Sequence, residues 1–354
     1  MAFEDFTGTK PVAARHAFDE AALLRYLRSR IPGFGSRLQV EQFKGGQSNP
    51  TFRLTADSGR YVLRRKPPGE LLPSAHAVDR EFRVISALAD TPVPVARAHL
   101  LCEDPSVIGS MFYVMDCVDG RVLWDPALPG MTPEQRGAHH DEVGRVIAEL
   151  HKLDPQALGL GDYGRPGSYI ARQVARWTQQ YRAAETEPIP AMEALIEWLP
   201  ARIPPGDEVA IVHGDYRFDN VIFHPTEPRI LAVLDWELST LGHPLVDFAY
   251  HCMTWHMDAG AASRGLAGLD LAPLGIPDEA AYLQRYLERT GRRKAVSAED
   301  WRYYLVFNMF RLAGILQGIM KRALQGNASS ERALQAGRRA RPLAEQAWAL
   351  AQAA

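Results

Sequence analysis

The sequence has few cysteines and no long apolar run, and these absences exclude several classes of protein. Its 354 residues include only Cys102, Cys117 and Cys252, and no CxxC pair occurs. A disulfide framework and a zinc knuckle are therefore both disfavoured. No stretch reaches the roughly 18 uncharged apolar residues that a membrane-spanning helix needs. The N-terminal segment mixes charges early, which is not typical of a secretory signal. We therefore expect a reduced, cytoplasmic protein with no membrane partner.

Neither sign of charge dominates the chain. Lys and Arg total 40 and Asp and Glu total 42, which gives a formal net charge of −2. Proteins dedicated to nucleic acid have a basic excess, so nucleic acid is not the expected partner. The hydrophobic fraction of 46% is ordinary for a globular chain, and the length favours two lobes or domains.

The first third of the chain predicts a small lobe of strands and helices. A helix is expected over Asp19–Ile31, with Asp19 as its N-cap. Strand-like segments then follow one another with turn residues between the first three, which predicts a five-stranded antiparallel sheet. These segments are Leu38–Phe43, Thr51–Ala56, Tyr61–Arg64, Ala98–Cys102 and Met111–Cys117. A further helix with one apolar face is predicted between the third and the fourth of them.

After Gly120 the apolar residues adopt helical spacing. The clearest segments are Thr132–Leu153, Pro190–Leu199 and Trp301–Leu324. The last of them is predicted to have a single apolar stripe, and the Ala- and Arg-rich tail after it is predicted to be a solvated helix. The sequence therefore predicts an α+β protein with two lobes, a sheet-rich lobe over residues 1–118 and a larger, mainly helical lobe over residues 119–354.

One block of the second lobe concentrates oxygen-bearing side chains. Val221–Phe223 and Ile230–Leu234 are apolar strands separated by a proline-containing turn, which predicts a hairpin. A hairpin brings the residue before its first strand beside the residue after its second. We therefore expect Asn220 and Asp235 to lie close together. Both offer oxygen ligands, the type that Mg²⁺ prefers alongside phosphate oxygens.

A third polar residue, Asp215, precedes Asn220 by five positions on a glycine-containing loop. An Asp, Asn and Asp set is what metal-assisted phosphoryl transfer requires, because one carboxylate orients the acceptor hydroxyl while the other two residues hold metal ions at the phosphates. The Asp-x4-Asn spacing equals that of the protein-kinase catalytic loop.

The motifs around these residues resemble a known family. HGDYRFDN (213–220) and LDWE (234–237) are similar to the signature of the aminoglycoside phosphotransferase and choline kinase family, which are small-molecule kinases with a protein-kinase-like fold. The similarity extends from about Gln42 to Tyr250, and more weakly through the final helices. The segments GGQSNPT, RRKPPG and DREFRV further resemble the kinase-like domain associated with acyl-CoA dehydrogenases.

The resemblance implies a bilobal, protein-kinase-like fold that uses ATP and Mg²⁺ to phosphorylate a hydroxyl of a small molecule. In this branch the implied acceptor is a hydroxy-acyl compound or its CoA thioester. Asp215 is implied as the catalytic base, Asn220 and Asp235 as the Mg²⁺ ligands, and Asp247 as the brace of the catalytic loop.

Residues implied to bind the nucleotide belong to the first lobe. They are Gly45, Gly46, Ser48 and Asn49 in a loop over the phosphates, Arg64 and Glu81 as a charged pair, and Asp116 and Val118 at the adenine. Small residues in such a loop let backbone N–H groups approach an anion. The family expects a Lys on the third strand. This chain offers Arg64, Arg65 and Lys66 there, and the sequence leaves open which of them contacts the phosphates.

Other activities fit the sequence less well. His213, His243, His251 and His256 could suggest a hydrolytic metal centre, but the spacing of five between His251 and His256 does not align two ligands on one helix face. No GxSxG motif indicates a serine hydrolase. Two alternatives with the kinase-like fold stay open: a non-catalytic nucleotide-binding protein, and a kinase of aminoglycosides or other antibiotics. Aminoglycosides are polycations that require an acidic lining, and no acidic cluster is evident in Thr254–Leu324.

Overall fold

The computed structural model describes residues 8–44, 49–67, 77–165, 167–259, 264–292, 296–326 and 333–353. These residues fall into two compact units. The N-terminal unit runs to Val146 and also contains residues 158–160 and 217–239. The C-terminal unit consists of residues 147–157, 161–216 and the chain from Thr240 onward. The boundary between lobes at Val118 stays a prediction.

An antiparallel sheet of six strands forms much of the N-terminal unit. Its strands are β1 (Thr9–Lys10), β2 (Leu38–Phe43), β3 (Thr51–Ala56), β4 (Gly59–Arg65), β5 (Ala98–Cys102) and β6 (Phe112–Asp116), in the order β1-β2-β3-β4-β6-β5. The five predicted strands are present. The prediction missed β1, which pairs with the end of β2, because two residues carry no readable alternation.

The two faces of this sheet are covered differently. Helix α1 (Glu20–Arg28) is capped by Asp19, whose carboxylate accepts the Ala22 N–H at 2.9 Å. Its buried leucines join Phe52, Leu63 and Val114 in one apolar cluster. Helix α2 (Val78–Leu88) packs against β5 and β6. Since side chains alternate along a strand, neighbouring residues of β4 have different surroundings.

A short hairpin also belongs to the N-terminal unit. Strands β8 (Val221–Phe223) and β9 (Ile230–Val233) pair antiparallel, as the sequence predicted. In the C-terminal unit, β7 (Ala210–Val212) pairs antiparallel with β10 (Thr240–Gly242).

Helices make up most of the C-terminal unit. They are the end of α3 (Pro133–Lys152), α4 (Tyr169–Ala184), α5 (Pro190–Ala201), α6 (Pro244–Cys252), α7 (Leu271–Leu274), α8 (Glu279–Arg289), α9 (Ala298–Leu324), α10 (Ala333–Gly337) and α11 (Ala340–Gln352). Helix α9 packs against α4, α5, α6, α10 and α11. The predicted single stripe on α9 is wrong: nearly every residue from Trp301 to Ala313 is buried, as in a core helix.

The prediction of a solvated tail helix is also wrong. Helix α11 packs against α9 and α5, and its buried residues include Ala340, Ala344 and Ala347. These alanines stand at i, i+4 and i+7 and form a narrow apolar face between exposed residues. In the part of the chain that the structure describes, none of the helices combines the length and the apolar composition of a membrane span.

Candidate active site

The β8–β9 hairpin holds the two predicted metal ligands. Val221 pairs with Val233, and beyond this pair the Leu234 N–H donates to the Asn220 carbonyl at 2.8 Å. Asp235 follows immediately. The hairpin therefore places Asn220 and Asp235 at the same end, one just before β8 and the other just after β9.

The backbone of Asp235 is in the left-handed region, with a φ of 63°. This conformation costs a non-glycine residue about 1–2 kcal/mol, so the surrounding structure must hold it. Trp236 is 1% exposed, and its indole N–H donates to the Val233 carbonyl at 3.0 Å. The buried indole anchors the turn and leaves the Asp235 carboxylate 35% exposed. Strain of this kind is typical of functional positions.

Arg64 of β4 joins this carboxylate to α2. Its guanidinium forms an ion pair with Glu81 at 2.9 Å and a second with Asp235 at 3.2 Å. Burial alone would lower the pKa of the Arg64 guanidinium, but the neighbouring carboxylates, Glu81 foremost, raise it above its ordinary value. Arg64 therefore stays charged, and its planar fork can contact two acceptors at once.

Glu81 is almost fully buried and accepts hydrogen bonds from two more side chains. The Asn49 carboxamide donates to Oε1 at 2.9 Å, and the Tyr113 hydroxyl donates to Oε2 at 3.0 Å. Burial raises the pKa of Glu81, while Arg64 and the Tyr113 hydroxyl oppose that rise. Asn49 is completely buried, so its side chain anchors the C-terminal end of the predicted phosphate loop to α2. The other predicted loop residues, Gly45, Gly46 and Ser48, lie outside the described residues.

The three basic residues of the third predicted strand have separate environments. Arg65 points away from Glu81: it donates to the His16 and Ile108 carbonyls. Lys66 lies beyond the end of β4 and pairs with Asp79 at 3.7 Å on the surface. Of the three, Arg64 alone pairs with Glu81 and Asp235 in the described part of the chain.

Asp116 and Val118 were predicted to contact adenine through backbone groups. Asp116 is the last residue of β6, and its N–H already donates to the Arg97 carbonyl at 2.9 Å. Its carboxylate pairs with His99 at 2.6 Å. Val118 follows β6 and is half-buried. Nucleotide binding at these two residues stays a prediction.

Asp215 lies in the C-terminal unit, on the loop that follows β7. The first helical turns of α6 hold this loop: the Asp247 carboxylate accepts the His213 N–H at 2.7 Å and the Gly214 N–H at 2.8 Å. The Asp215 N–H donates to the His213 ring at 3.2 Å, and the Tyr250 hydroxyl donates to Asp215 Oδ1 at 2.6 Å. The loop is therefore held through both its backbone and its side chains.

Asp247 is the first member of a buried chain of hydrogen bonds that continues through His151 to Tyr286. His151 contacts Asp247 through Nε2 at 3.1 Å and the Tyr286 hydroxyl through Nδ1 at 2.7 Å. Burial lowers the pKa of His151 despite the nearby carboxylate. Burial alone would raise the pKa of Asp247, but His151 and the His213 N–H hold it below its ordinary value. Asp247 is therefore a buried carboxylate with three hydrogen-bond donors.

Tyr250 and His151 were not identified from the sequence. Tyr250 had one available signal, its i, i+3 spacing from Asp247, which would place both on one face if the segment were helical. His151 had none, because nothing in its local pattern relates it to residues about 100 positions away.

The histidines of the rival metal centre have other partners. His251 contacts the Tyr282 hydroxyl at 3.1 Å, and His256 pairs with Glu279 at 2.8 Å. Burial lowers the pKa of His243 to about 4. Among the described residues, no three His, Cys, Asp or Glu side chains gather in a group that could hold a metal ion.

Comparison with known proteins places the chain in a family. Residues 39–295 match the phosphotransferase enzyme family. Acyl-CoA dehydrogenase family member 10 of Mus musculus is 45% identical over 342 residues, which are 96% of this chain but 32% of that protein. The chain thus spans about a third of the length of this curated relative.

Two solved structures are also similar. A crystal structure from Ralstonia eutropha JMP134, assigned to the aminoglycoside phosphotransferases, is 58% identical with a TM-score of 0.87, over 95% of this chain and 99% of that one. A thermostable aminoglycoside phosphotransferase in a ternary complex with ADP and hygromycin B is 16% identical with a TM-score of 0.59, over 94% of this chain and 100% of that one, a likeness of fold alone. The chain therefore belongs to the phosphotransferase enzyme family, a family of small-molecule kinases, and has the kinase-like fold that its sequence predicted.

Proposed function

We propose that this protein transfers the γ-phosphoryl group of ATP to a hydroxyl of a hydroxy-acyl compound or its CoA thioester, with Mg²⁺. The observation that carries the proposal is the hairpin end at which Asn220 and Asp235 lie, with Arg64 paired to Asp235 and Glu81. Asp215, five positions before Asn220 in the chain, supplies a carboxylate at the spacing used by protein kinases.

The donor set at the hairpin suits Mg²⁺. An amide oxygen from Asn220 and a carboxylate from Asp235 are hard oxygen ligands, and Mg²⁺ is commonly held by one or two such groups together with substrate phosphates. When bound, Mg-ATP supplies the phosphoryl group and a cation that neutralises charge on its oxygens. Asn220 and Asp235 would hold the ion, and the Arg64 guanidinium would bind phosphate oxygens.

In the proposed reaction Asp215 accepts the proton of the acceptor hydroxyl while the new O–P bond forms and the bond to the ADP oxygen breaks. The backbone of Gly45, Gly46 and Ser48 would bind phosphate, and that of Asp116 or Val118 would bind adenine. These roles follow from the motifs. The complex with ADP of the aminoglycoside phosphotransferase supports a nucleotide as cosubstrate.

The acceptor class is proposed from the relatives. The chain matches about a third of an acyl-CoA dehydrogenase family member at 45% identity. A kinase domain joined to an enzyme named for acyl-CoA chemistry is expected to act on a related thioester. Because phosphoryl transfer needs an acceptor hydroxyl, the acyl chain of that thioester must carry a hydroxyl group. A second candidate, an aminoglycoside kinase, is favoured by the assignment of the 58% identical structure.

Both candidates are tested by one panel. Purified protein with Mg-ATP is incubated with hydroxy acids of several lengths, their CoA thioesters and several aminoglycosides, and products are identified by mass spectrometry. We expect one added phosphoryl group on hydroxy-acyl compounds, lost in Asp215→Asn but kept in Asp278→Asn, which changes an exposed helix cap instead. Phosphorylation of aminoglycosides alone would replace the proposed acceptor. Transfer to no member of the panel would contradict the proposal.

A further inference from the structure

One face of α6 presents two side chains to three consecutive residues of the loop after β7. Asp247 accepts the backbone N–H groups of His213 and Gly214. One turn later, Tyr250 donates its hydroxyl to Asp215 Oδ1 at 2.6 Å. Residues i and i+3 share a face of a helix, so a single rigid surface fixes the loop backbone and the side chain that the loop carries. The distance is typical of a hydroxyl bound to an ionised carboxylate.

A buried cation fixes Tyr250 in turn. The Arg311 guanidinium of α9 lies over the Tyr250 ring, 4.9 Å from its centroid, and over the Trp177 ring at 5.2 Å. It also donates to the Gly214 carbonyl at 2.7 Å. Arg311 is 7% exposed, and a desolvated cation over aromatic faces is held more firmly than an exposed one. Arg311 thereby joins the tyrosine to the loop that carries Asp215.

We propose that Tyr250 is the positioning residue of Asp215. This inference rests on the proposed function, in which Asp215 receives the proton of the acceptor hydroxyl. Tyr250 keeps its own proton throughout and fixes the rotation of the carboxylate, while Arg311 fixes the ring. Placement matters at this point because an error of about 1 Å in a reacting group costs about 100-fold in rate.

The test compares two substitutions that remove the same atom. Tyr250→Phe deletes the hydroxyl that contacts Asp215 and keeps the ring over which Arg311 lies. Tyr303→Phe deletes a buried hydroxyl that donates to the Leu199 carbonyl at 3.1 Å. We expect Tyr250→Phe to lower kcat by about 10- to 100-fold, the range for a hydrogen bond to a charged group, with KM for ATP within twofold of wild type. Tyr303→Phe should leave kcat within about twofold.

A double-mutant cycle distinguishes positioning of Asp215 by Tyr250 from a general loss of rigidity in the C-terminal unit. Single-turnover transfer from radiolabelled ATP is measured for wild type, Tyr250→Phe, Asp215→Asn and the double variant. We expect Tyr250→Phe to cost less than about twofold in the Asp215→Asn background, because the carboxylate it positions is gone. An equal loss in both backgrounds, or a wild-type kcat for Tyr250→Phe, would overturn the inference alone. A wild-type protein that transfers no phosphoryl group would overturn the proposed function together with it.

Discussion

Substituting Asp247 by Asn removes a charge without changing shape. In the folded protein Oδ1 accepts the Gly214 N–H and Oδ2 accepts the His213 N–H and the His151 ring. An amide has one oxygen, so its NH₂ group must face one of these donors. The least costly orientation leaves the Gly214 N–H unsatisfied, at about 1–3 kcal/mol, and weakens two charge-assisted bonds by about 1 kcal/mol each. We expect the free energy of unfolding to fall by about 3–5 kcal/mol.

Urea unfolding followed by tryptophan fluorescence measures this loss. The matched control is Asp278→Asn, because Asp278 caps α8 by accepting the Ala281 N–H at 2.7 Å and Asn caps a helix as well as Asp does. We expect the control to stay within about 0.5 kcal/mol of wild type. Equal stability of the two variants would refute the role of Asp247 as a buried brace.

The same comparison has a pH dependence. Because the folded-state pKa of Asp247 is lowered, its ionised form stabilises the fold above the unfolded-state value of about 3.9 and ceases to do so as pH falls through the folded-state value. The stability difference between wild type and Asp247→Asn should therefore shrink below about pH 4. A difference that stays constant from pH 7 to pH 3 would contradict this explanation.

Three further outcomes follow from the structure. Arg64→Lys should raise KM for ATP about five- to tenfold in steady-state assays, because an ammonium cannot replace the planar fork that contacts two carboxylates; an unchanged KM would contradict this. Burial lowers the pKa of His140 to about 4, so the unfolded chain takes up a proton below about pH 6.5 while the folded chain resists it. In urea melts, wild type should therefore lose about 3 kcal/mol more unfolding free energy than His140→Gln between pH 7 and pH 4. An equal loss in the two proteins would count against the lowered pKa of His140. Gly120→Ala would place a methyl group against the Phe223 carbonyl and should lower unfolding free energy by about 1–3 kcal/mol, whereas a neutral effect would show that the contact can relax.

Much of the hairpin could be predicted from the sequence, because two short apolar runs around a proline-containing turn allow few other arrangements. The placement of Asn220 and Asp235 at the same end of the hairpin follows from that topology alone. The sequence could not show which of Arg64, Arg65 and Lys66 pairs with Glu81, because that pairing depends on which face of β4 meets α2. The observed register pairs Arg64 with Tyr113, whose hydroxyl also contacts Glu81.

Contacts between segments that are far apart in the chain could not be predicted from the sequence. Tyr250 reaches Asp215 across 35 positions, and His151 reaches Asp247 across 96. Periodicity shows that a helix has a buried face, but it does not show what that face contacts. Asn49 illustrates the same limit, since nothing in the local sequence indicates that its side chain donates to Glu81, 32 positions away.

In the proposed function, Asp215, Asn220 and Asp235 serve one Mg²⁺-dependent phosphoryl transfer. The most direct measurement is a single turnover of radiolabelled ATP with the accepted hydroxy-acyl substrate at increasing Mg²⁺ concentration, comparing wild type with Asp215→Asn and Asp235→Asn. We expect Asp215→Asn to lower the rate by about 1,000-fold or more at every Mg²⁺ concentration, whereas Asp235→Asn should also shift the Mg²⁺ dependence to higher concentration. Transfer at the wild-type rate in Asp215→Asn, or an unchanged Mg²⁺ dependence in Asp235→Asn, would contradict the proposed function.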